Sequence, residues 1–178
     1  MRFTFFGLLS AAAALASPCQ FCNENGNFET RRPSITVVEV LPTGIFPNEV
    51  HALVGDYILF KFGDGLNSVV QGRYESPCRS YQGGFSSGAI WNLDVETYYP
   101  KAYVIQITDA RPIWYYNGEE DKCRIGGHLA VINPPANGVE NLYSYLSRSR
   151  VPGITDWKNQ NKGVMLPLSE EACQRKPR

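Results

Sequence analysis

Cysteine is the residue type whose number and placement first suggest chemistry. There are five, Cys19, Cys22, Cys78, Cys123 and Cys173. A thiolate is a nucleophile and a soft metal ligand, and a pair of thiols can become a disulfide. Cys19-x-x-Cys22 has redox or half-zinc spacing, but no βαβ pattern or second Cys/His pair accompanies it. Disulfide formation is therefore the expectation. The two histidines, His51 and His128, stand far apart, and a lone histidine reads as a packed or surface residue. Glu119-Glu120-Asp121 supplies carboxylates that could hold a hard cation. The neighbouring Lys122 and Arg124 can pair with them, so this run reads as a solvated loop. Ser68, Ser86 and Ser87 have no His–acid partner that the sequence can place nearby, and neither Gly-x-Ser-x-Gly nor His-Glu-x-x-His occurs. Asp94 with Glu96, or Glu119 with Glu120, would be the carboxylate pairs of a glycosidase, but carboxylates are common on surfaces. No catalytic residue is expected.

Elements that would position these groups can be read from periodicity. Ser34 to Val40, Tyr57 to Phe62 and Ala102 to Thr108 are β-branched and aromatic runs that predict strands. Ile113 to Tyr116 is a short strand with Pro112 at its start, where a missing N–H does least harm. Asn117-Gly118 opens a polar loop that Gly126-Gly127 closes, and Leu129 to Ile132 is the next strand, stopped by Asn133-Pro134-Pro135. Cys123 thus lies inside a strand–loop–strand unit. Trp91 to Pro100 is a less regular connection. After residue 135, the spacing of Val139, Leu142, Tyr143 and Leu146 predicts one face of a short helix that ends at Pro152-Gly153. The aromatics, among them Trp91, Tyr98 and Tyr99, read chiefly as core with scattered surface rings.

Composition bounds the compartment. Met1 to Ala16 has a basic Arg2, an apolar run and the small-residue site Ala14-Leu15-Ala16, which predict a secretory signal peptide. A secreted chain normally pairs its cysteines, and the odd number leaves one over. Basic and acidic residues number 17 each; losing Arg2 leaves one excess acid. That balance gives no support for a nucleic-acid partner. The polar end, Ser169 to Arg178, shows no membrane segment or lipid-anchor tail, and no Asn-x-Ser/Thr sequon occurs.

Several ordered phrases between Ser34 and Pro134 resemble blue-copper proteins, the cupredoxins, and most closely their secreted fungal, phytocyanin-related branch. They are Phe46-Pro47 followed by Val54-Gly55-Asp56 and an aromatic strand; Leu66-Asn67-Ser68-Val69; Pro77-Cys78; Gly84-Phe85-Ser86-Ser87-Gly88; and Tyr115-Tyr116-Asn117, Lys122-Cys123 and Gly126-Gly127. The resemblance implies a mainly β, cupredoxin-like Greek-key β-sandwich. It also implies a Cys78–Cys123 disulfide; among the remaining cysteines, Cys173 is expected to reach back to Cys19 or Cys22 and so tie the tail to the arm. In the family, copper is held by a histidine at the place of Asn67, a cysteine at Asn117, a histidine at Lys122 and a methionine at Gly127. A blue-copper site needs imidazoles and a thiolate, and all four positions are altered here. His128, one place beyond the axial position, is expected to face elsewhere by strand alternation.

The expected organisation is a signal peptide at 1–16, an arm at 17–33, a cupredoxin-like domain at 34–135 and a short helical or irregular extension at 136–178. The expected function is a secreted, copper-free, non-catalytic binding protein without cofactor. Its partner would be an extracellular ligand or protein of a cell wall or host, with no nucleic acid and no membrane anchor. A copper protein of electron transfer or metal handling is the alternative, and a structural wall component a third reading. The loop Glu119, Glu120, Asp121 and Lys122 is the expected partner site. Lys122 should turn outward beside the acids, and the amides of Asn67 and Asn117 should bond backbone. Trp91 and Tyr98 would border this surface.

Overall fold

The computed structural model describes residues 20–22, 28–92, 101–136, 138–150 and 163–167. The expected signal peptide, Cys19, Cys173, Asp94, Glu96, Tyr98 and Tyr99 lie outside them. The chain divides into two units, Met1–Arg32 and Pro33–Arg178. In the first, β1 (Gln20–Cys22) pairs with β2 (Phe28–Thr30) antiparallel.

The second unit holds, in chain order, β3 (Ile35–Leu41), β4 (Gly44–Phe46), β5 (Glu49–Val50), β6 (Tyr57–Phe62), β7 (Gly65–Asn67), β8 (Val70–Gln71), β9 (Ile90–Asn92), β10 (Lys101–Gln106), β11 (Ile113–Tyr116), β12 (Leu129–Ile132), α1 (Leu142–Ser149) and β13 (Val164–Pro167). One sheet has the order β13-β10-β6-β3-β4 and the facing one β5-β12-β11-β8, with β7 and β9 as a separate pair. β3 runs parallel to β6, and β5 parallel to β12. This is the mainly β sandwich that the resemblance implies, and its sheets are mixed.

Alternation explains the first sheet. Along β6, Ile58, Phe60 and Phe62 are buried while Tyr57, Leu59 and Lys61 are half-buried. Val38 and Val40 of β3 join them inside. Successive side chains of a strand point to opposite faces, so such a pattern defines one inner face. Phe60 is the hub, with its ring centroid 5.4 Å from Tyr115 in an edge-on contact and 6.0 Å from Phe85. The turn into β6 is held by buried Asp56, whose carboxylate accepts from Ser34 N–H at 2.8 Å and Leu53 N–H at 3.0 Å. Gly55 provides the positive φ of +94° this turn needs.

β11 and β12 do not alternate. Trp114, Tyr115 and Tyr116 are all buried, as is all of β12. Tyr115, Ala130 and Ile132 face the core shared with the first sheet. Trp114, Tyr116, Leu129 and Val131 enter a second core with Tyr74, Tyr145, Cys78 and Cys123. The cover over this outer face is α1. Its N-cap is Asn141, whose side chain accepts from Ser144 N–H at 2.8 Å while Ser144 Oγ accepts from Asn141 N–H at 3.1 Å, a reciprocal capping box. Tyr145 lies 4.7 Å from Trp114, ring to ring, and 6.2 Å from Tyr74.

The helix thus exists where the spacing predicts it, but presents a different face. Tyr145 and Ser149 are buried, with Leu142 and Leu146 packed beside them, whereas Val139 and Tyr143 are among the most exposed apolar residues. Val139 precedes the helix, so helical spacing does not apply to it. The segment after residue 135 also supplies β13, which pairs with β10 at the edge of the first sheet. β13 is thus an edge strand of the first sheet, and α1 covers the outer face of the second.

Tyr145 provides a test of this cover. Its hydroxyl is buried without a hydrogen-bond partner, so its contribution is the ring. Tyr145→Ala is expected to lower unfolding free energy by about 3–5 kcal/mol, and Tyr145→Phe by less than about 1 kcal/mol. Urea denaturation distinguishes them; equal losses would show that the ring is not what seats the helix.

Candidate functional site

Asn67 ends β7, and Asn117 follows β11. Both are fully buried. The Asn67 amide Nδ2 donates to the carbonyls of Gly63 and Asp64, each at 3.1 Å. Its Oδ1 accepts from Asn117 Nδ2 at 3.0 Å and from Lys122 Nζ at 3.1 Å. Asn117 Oδ1 accepts from Ser68 N–H at 3.1 Å and Glu119 N–H at 3.2 Å. Ser68 Oγ accepts from Gly118 N–H at 3.0 Å. Lys122 Nζ also donates to the Leu66 carbonyl. Two loops some fifty residues apart in sequence are thereby tied at one end of the sandwich. Buried amides without such partners would each cost of order 1–3 kcal/mol.

Asn67, Asn117 and Lys122 converge, and the amides bond backbone as expected, with a side-chain link between them in addition. Lys122 does not turn outward. Its ammonium reaches inward to a carbonyl and an amide oxygen, both negative ends of dipoles that satisfy a partly desolvated cation. The acidic run also divides. Glu119 is buried, with Oε1 lacking a hydrogen-bond partner, while Glu120 and Asp121 are exposed. A four-residue charged surface is thus replaced by two exposed acids over two inward side chains. Gly127 takes no part in the polar network. It has φ +67°, and a Cβ there would start 2.9 Å from Leu146 Cδ1 of α1.

The expected disulfide is present between Cys78 and Cys123, with Cα atoms 5.7 Å apart and both residues buried. It anchors the middle of the 119–126 turn to the segment after β8. Closing a loop of 45 residues' separation restricts the unfolded chain by roughly 4 kcal/mol in the chain-entropy model. Ser68 was legible only as a hydroxyl without a His–acid partner; the Asn67-Ser68 and Asn117-Gly118 dipeptides were the available signal for mutual bonding. Ser87 Oγ accepts from Val69 N–H at 3.0 Å and donates to Gly88 O at 2.8 Å, and Ser86 Oγ accepts from Gly88 N–H at 3.1 Å. These hydroxyls serve backbone. Trp91 is exposed, and it pairs with Leu66 across β7 and β9.

His128 is buried, and its Nδ1 has no hydrogen-bond partner. Its backbone N–H donates to Lys122 O at 2.9 Å, and its carbonyl accepts from Asn117 N–H at 3.0 Å. Gly126 allows this approach, since a Cβ there would meet Lys122 O at 2.8 Å and His128 Cδ2 at 2.9 Å. Desolvation, and then the Lys122 charge, hold the imidazole pKa below its ordinary 6.5.

The donor set does not fit copper. Amide oxygens are poor partners for a soft thiolate–imidazole site, and the Lys122 ammonium occupies the acceptors where a cation would be held. No group of three or more His, Cys, Asp or Glu side chains able to hold a metal occurs among the described residues.

No family model matches the chain. It is 32% identical over 123 residues to an "Extracellular serine-rich protein" of Arthroderma benhamiae, covering 67% of this chain and 46% of that protein. It is 30% identical over 92 residues to a "Probable GPI-anchored cupredoxin-1" of the same fungus, covering 52% of this chain and 45% of that one. The chain thus spans about half the length of the curated relatives it matches. Among solved structures, a pseudoazurin from Sinorhizobium meliltoi aligns with a TM-score of 0.37 and 17% identity, over 58% of this chain and 77% of that one. The sandwich architecture and the similarity to a fungal cupredoxin together mark the fold as cupredoxin-like.

Two outcomes are expected at this end. Asn117→Ala should cost about 2–4 kcal/mol, because it strands the Ser68 and Glu119 N–H groups and leaves Asn67 Oδ1 with Lys122 as its remaining donor; a loss under about 1 kcal/mol in urea denaturation would contradict the network. For His128, the neutral form is favoured in the folded state and the unfolded chain binds the extra proton. Its contribution is complete above the ordinary pKa of 6.5 and is lost as pH falls below it toward the depressed folded value. Denaturation midpoints should therefore fall on acidification from about pH 7 to pH 5, and His128→Gln should flatten that dependence. An unchanged slope would show that other groups govern it.

Proposed function

We propose that this chain is an extracellular cupredoxin-fold binding protein that works without copper and without catalysing a reaction. The observation that carries the proposal is the Lys122 ammonium, directed onto Leu66 O and Asn67 Oδ1. An internal cation at that place supplies the positive charge to the acceptors and repels a second one. The altered positions Asn67, Asn117, Lys122 and Gly127 leave no thiolate or imidazole to act as a redox centre. The copper-handling alternative is not favoured for the same reason.

The relatives' descriptions, one extracellular and one GPI-anchored, support a cell-surface or secreted location. No helix among the described residues is long and apolar enough to cross a membrane. Recognition at the loop end would fall to the side chains that reach solvent, Glu120, Asp121 and Ile125, since loops on a rigid sandwich commonly carry binding.

The test is copper titration of the purified mature protein, followed by gel filtration, metal analysis and absorption spectroscopy. The expected result is no stoichiometric copper and no intense blue thiolate charge-transfer band. Retained copper with that band would overturn the proposal.

A further inference from the structure

At the opposite end of β11 from Asn117 lies a cleft of about 630 Å³. It falls in the range of about 300–1,000 Å³ common for small-ligand sites. Its walls come from the segment after β8, the end of β10 and the start of β11. Tyr81, Phe85 and Ile113 contribute apolar surface, and Arg73, Arg111 and Gln71 contribute donors. The Arg73 guanidinium lies 4.4 Å from the centre of the Tyr81 ring. Arg111 is held by Asp109 through Nε at 3.1 Å and Nη2 at 2.8 Å. Both arginines are exposed at the rim of the cleft, where solvent-facing side chains can reach a ligand.

Charge and hydrogen bonding narrow the occupant. The charged lining residues are Arg73, Arg111, Glu75, Asp109 and Glu140, an excess of one acid. A polyanion such as nucleic acid or a sulfated chain is disfavoured there. A purely apolar ligand would strand the lining's donors and acceptors. An extended peptide commonly adds to an open strand edge, but the neighbouring edge of β8 is already used. Gln71 N–H donates to Phe85 O at 2.9 Å, and Gln71 O accepts from Tyr81 N–H at 2.8 Å. What remains is a ligand with many hydroxyls, each able to donate and accept, and with C–H faces that can lie on a ring.

We propose that this cleft binds a neutral oligosaccharide. Tyr81, backed by Arg73, provides the surface for a sugar ring's C–H face. Arg111 and the Gln71 Nε2 amide provide donors and Glu75 an acceptor for its hydroxyls, while Gln71 Oε1 is held by Phe85 N–H at 3.2 Å. The inference goes beyond the copper-free reading and is independent of it, because cleft and Lys122 lie at different ends of β11.

The experiment is titration of the full secreted chain, in chelator-containing buffer, with hexamers of β-linked glucose and of N-acetylglucosamine, followed by NMR shifts or calorimetry. A galacturonate hexamer serves as the anionic comparison. The expected result is binding of at least one neutral hexamer with a millimolar or tighter Kd. Tyr81→Ala should weaken it roughly tenfold or more, in line with loss of a ring contact. Trp91→Ala, outside the cleft, should leave it unchanged. If Tyr81→Ala loses the native circular dichroism, the exposed-rim variant Arg73→Ala decides by the same criterion. No binding of either neutral hexamer, binding of the galacturonate alone, or affinity unaffected by the deciding cleft variant would each overturn the proposal.

Discussion

The β11–β12 hairpin carries large apolar side chains on both faces, and each face has to leave water. Tyr115, Ala130 and Ile132 meet the first sheet, while Trp114, Tyr116, Leu129 and Val131 point the other way. Burying one such side chain is worth roughly 1.5–3 kcal/mol, so an uncovered outer face would forfeit several such contributions. The chain covers it from two directions. α1 lays Tyr145 on Trp114, and the segment after β8 brings Tyr74 and Cys78. Tyr74 joins the two covers, its hydroxyl 2.7 Å from Ser144 Oγ and 3.2 Å from Val139 O.

That double cover positions both ends of β11. At one end, the Cys78–Cys123 link draws the 119–126 turn down onto the second core, which directs Lys122 across toward β7. A cupredoxin-like frame then holds a set of amides and one ammonium. Their hydrogen bonds join the end of β7 to the loop after β11 through neutral dipoles and a fixed internal charge. At the other end, the segment after β8 folds back on itself, with Tyr81 N–H bonded to Gln71 O and Gly84 N–H bonded to Tyr81 O at 2.8 Å. This return satisfies the sheet edge and leaves side chains, not backbone, lining the cleft.

Much of the frame was legible locally. β-branched alternation marks β3 and β6, and the unbroken apolar run of β12 marks a strand buried on both sides. The Gly55-Asp56 turn and the stop at Asn133 also follow from residue type, and Asn133 closes its turn by exchanging bonds with Ala52 at 2.8 and 3.0 Å. The helix after residue 135 was legible by its spacing, but its buried face was misassigned. Spacing says which residues share a face; only the partner surface, here Trp114 and Tyr74, selects which face is pressed inward.

The sequence by itself determined β3, β6, β10, β11 and β12, the turns beside them, and the residue types Asn67, Asn117 and Lys122 at the places where the resemblance expects imidazole and thiolate, whereas the short strands β1, β2, β9 and β13 were not legible in it. The legible features follow from covalent identity and from short-range preferences that act within a few residues. Tertiary structure alone decided the direction of Lys122, the burial of Glu119 and His128, and the assembly of the cleft from Arg73, Tyr81 and Arg111. Lysine has a long, flexible stem, so its direction is set by where acceptors lie, and these are 55 and 56 residues away in the chain. Burial of Glu119 is likewise a property of what packs over it. Such contacts arise only when distant segments close on one another, and no local pattern encodes them.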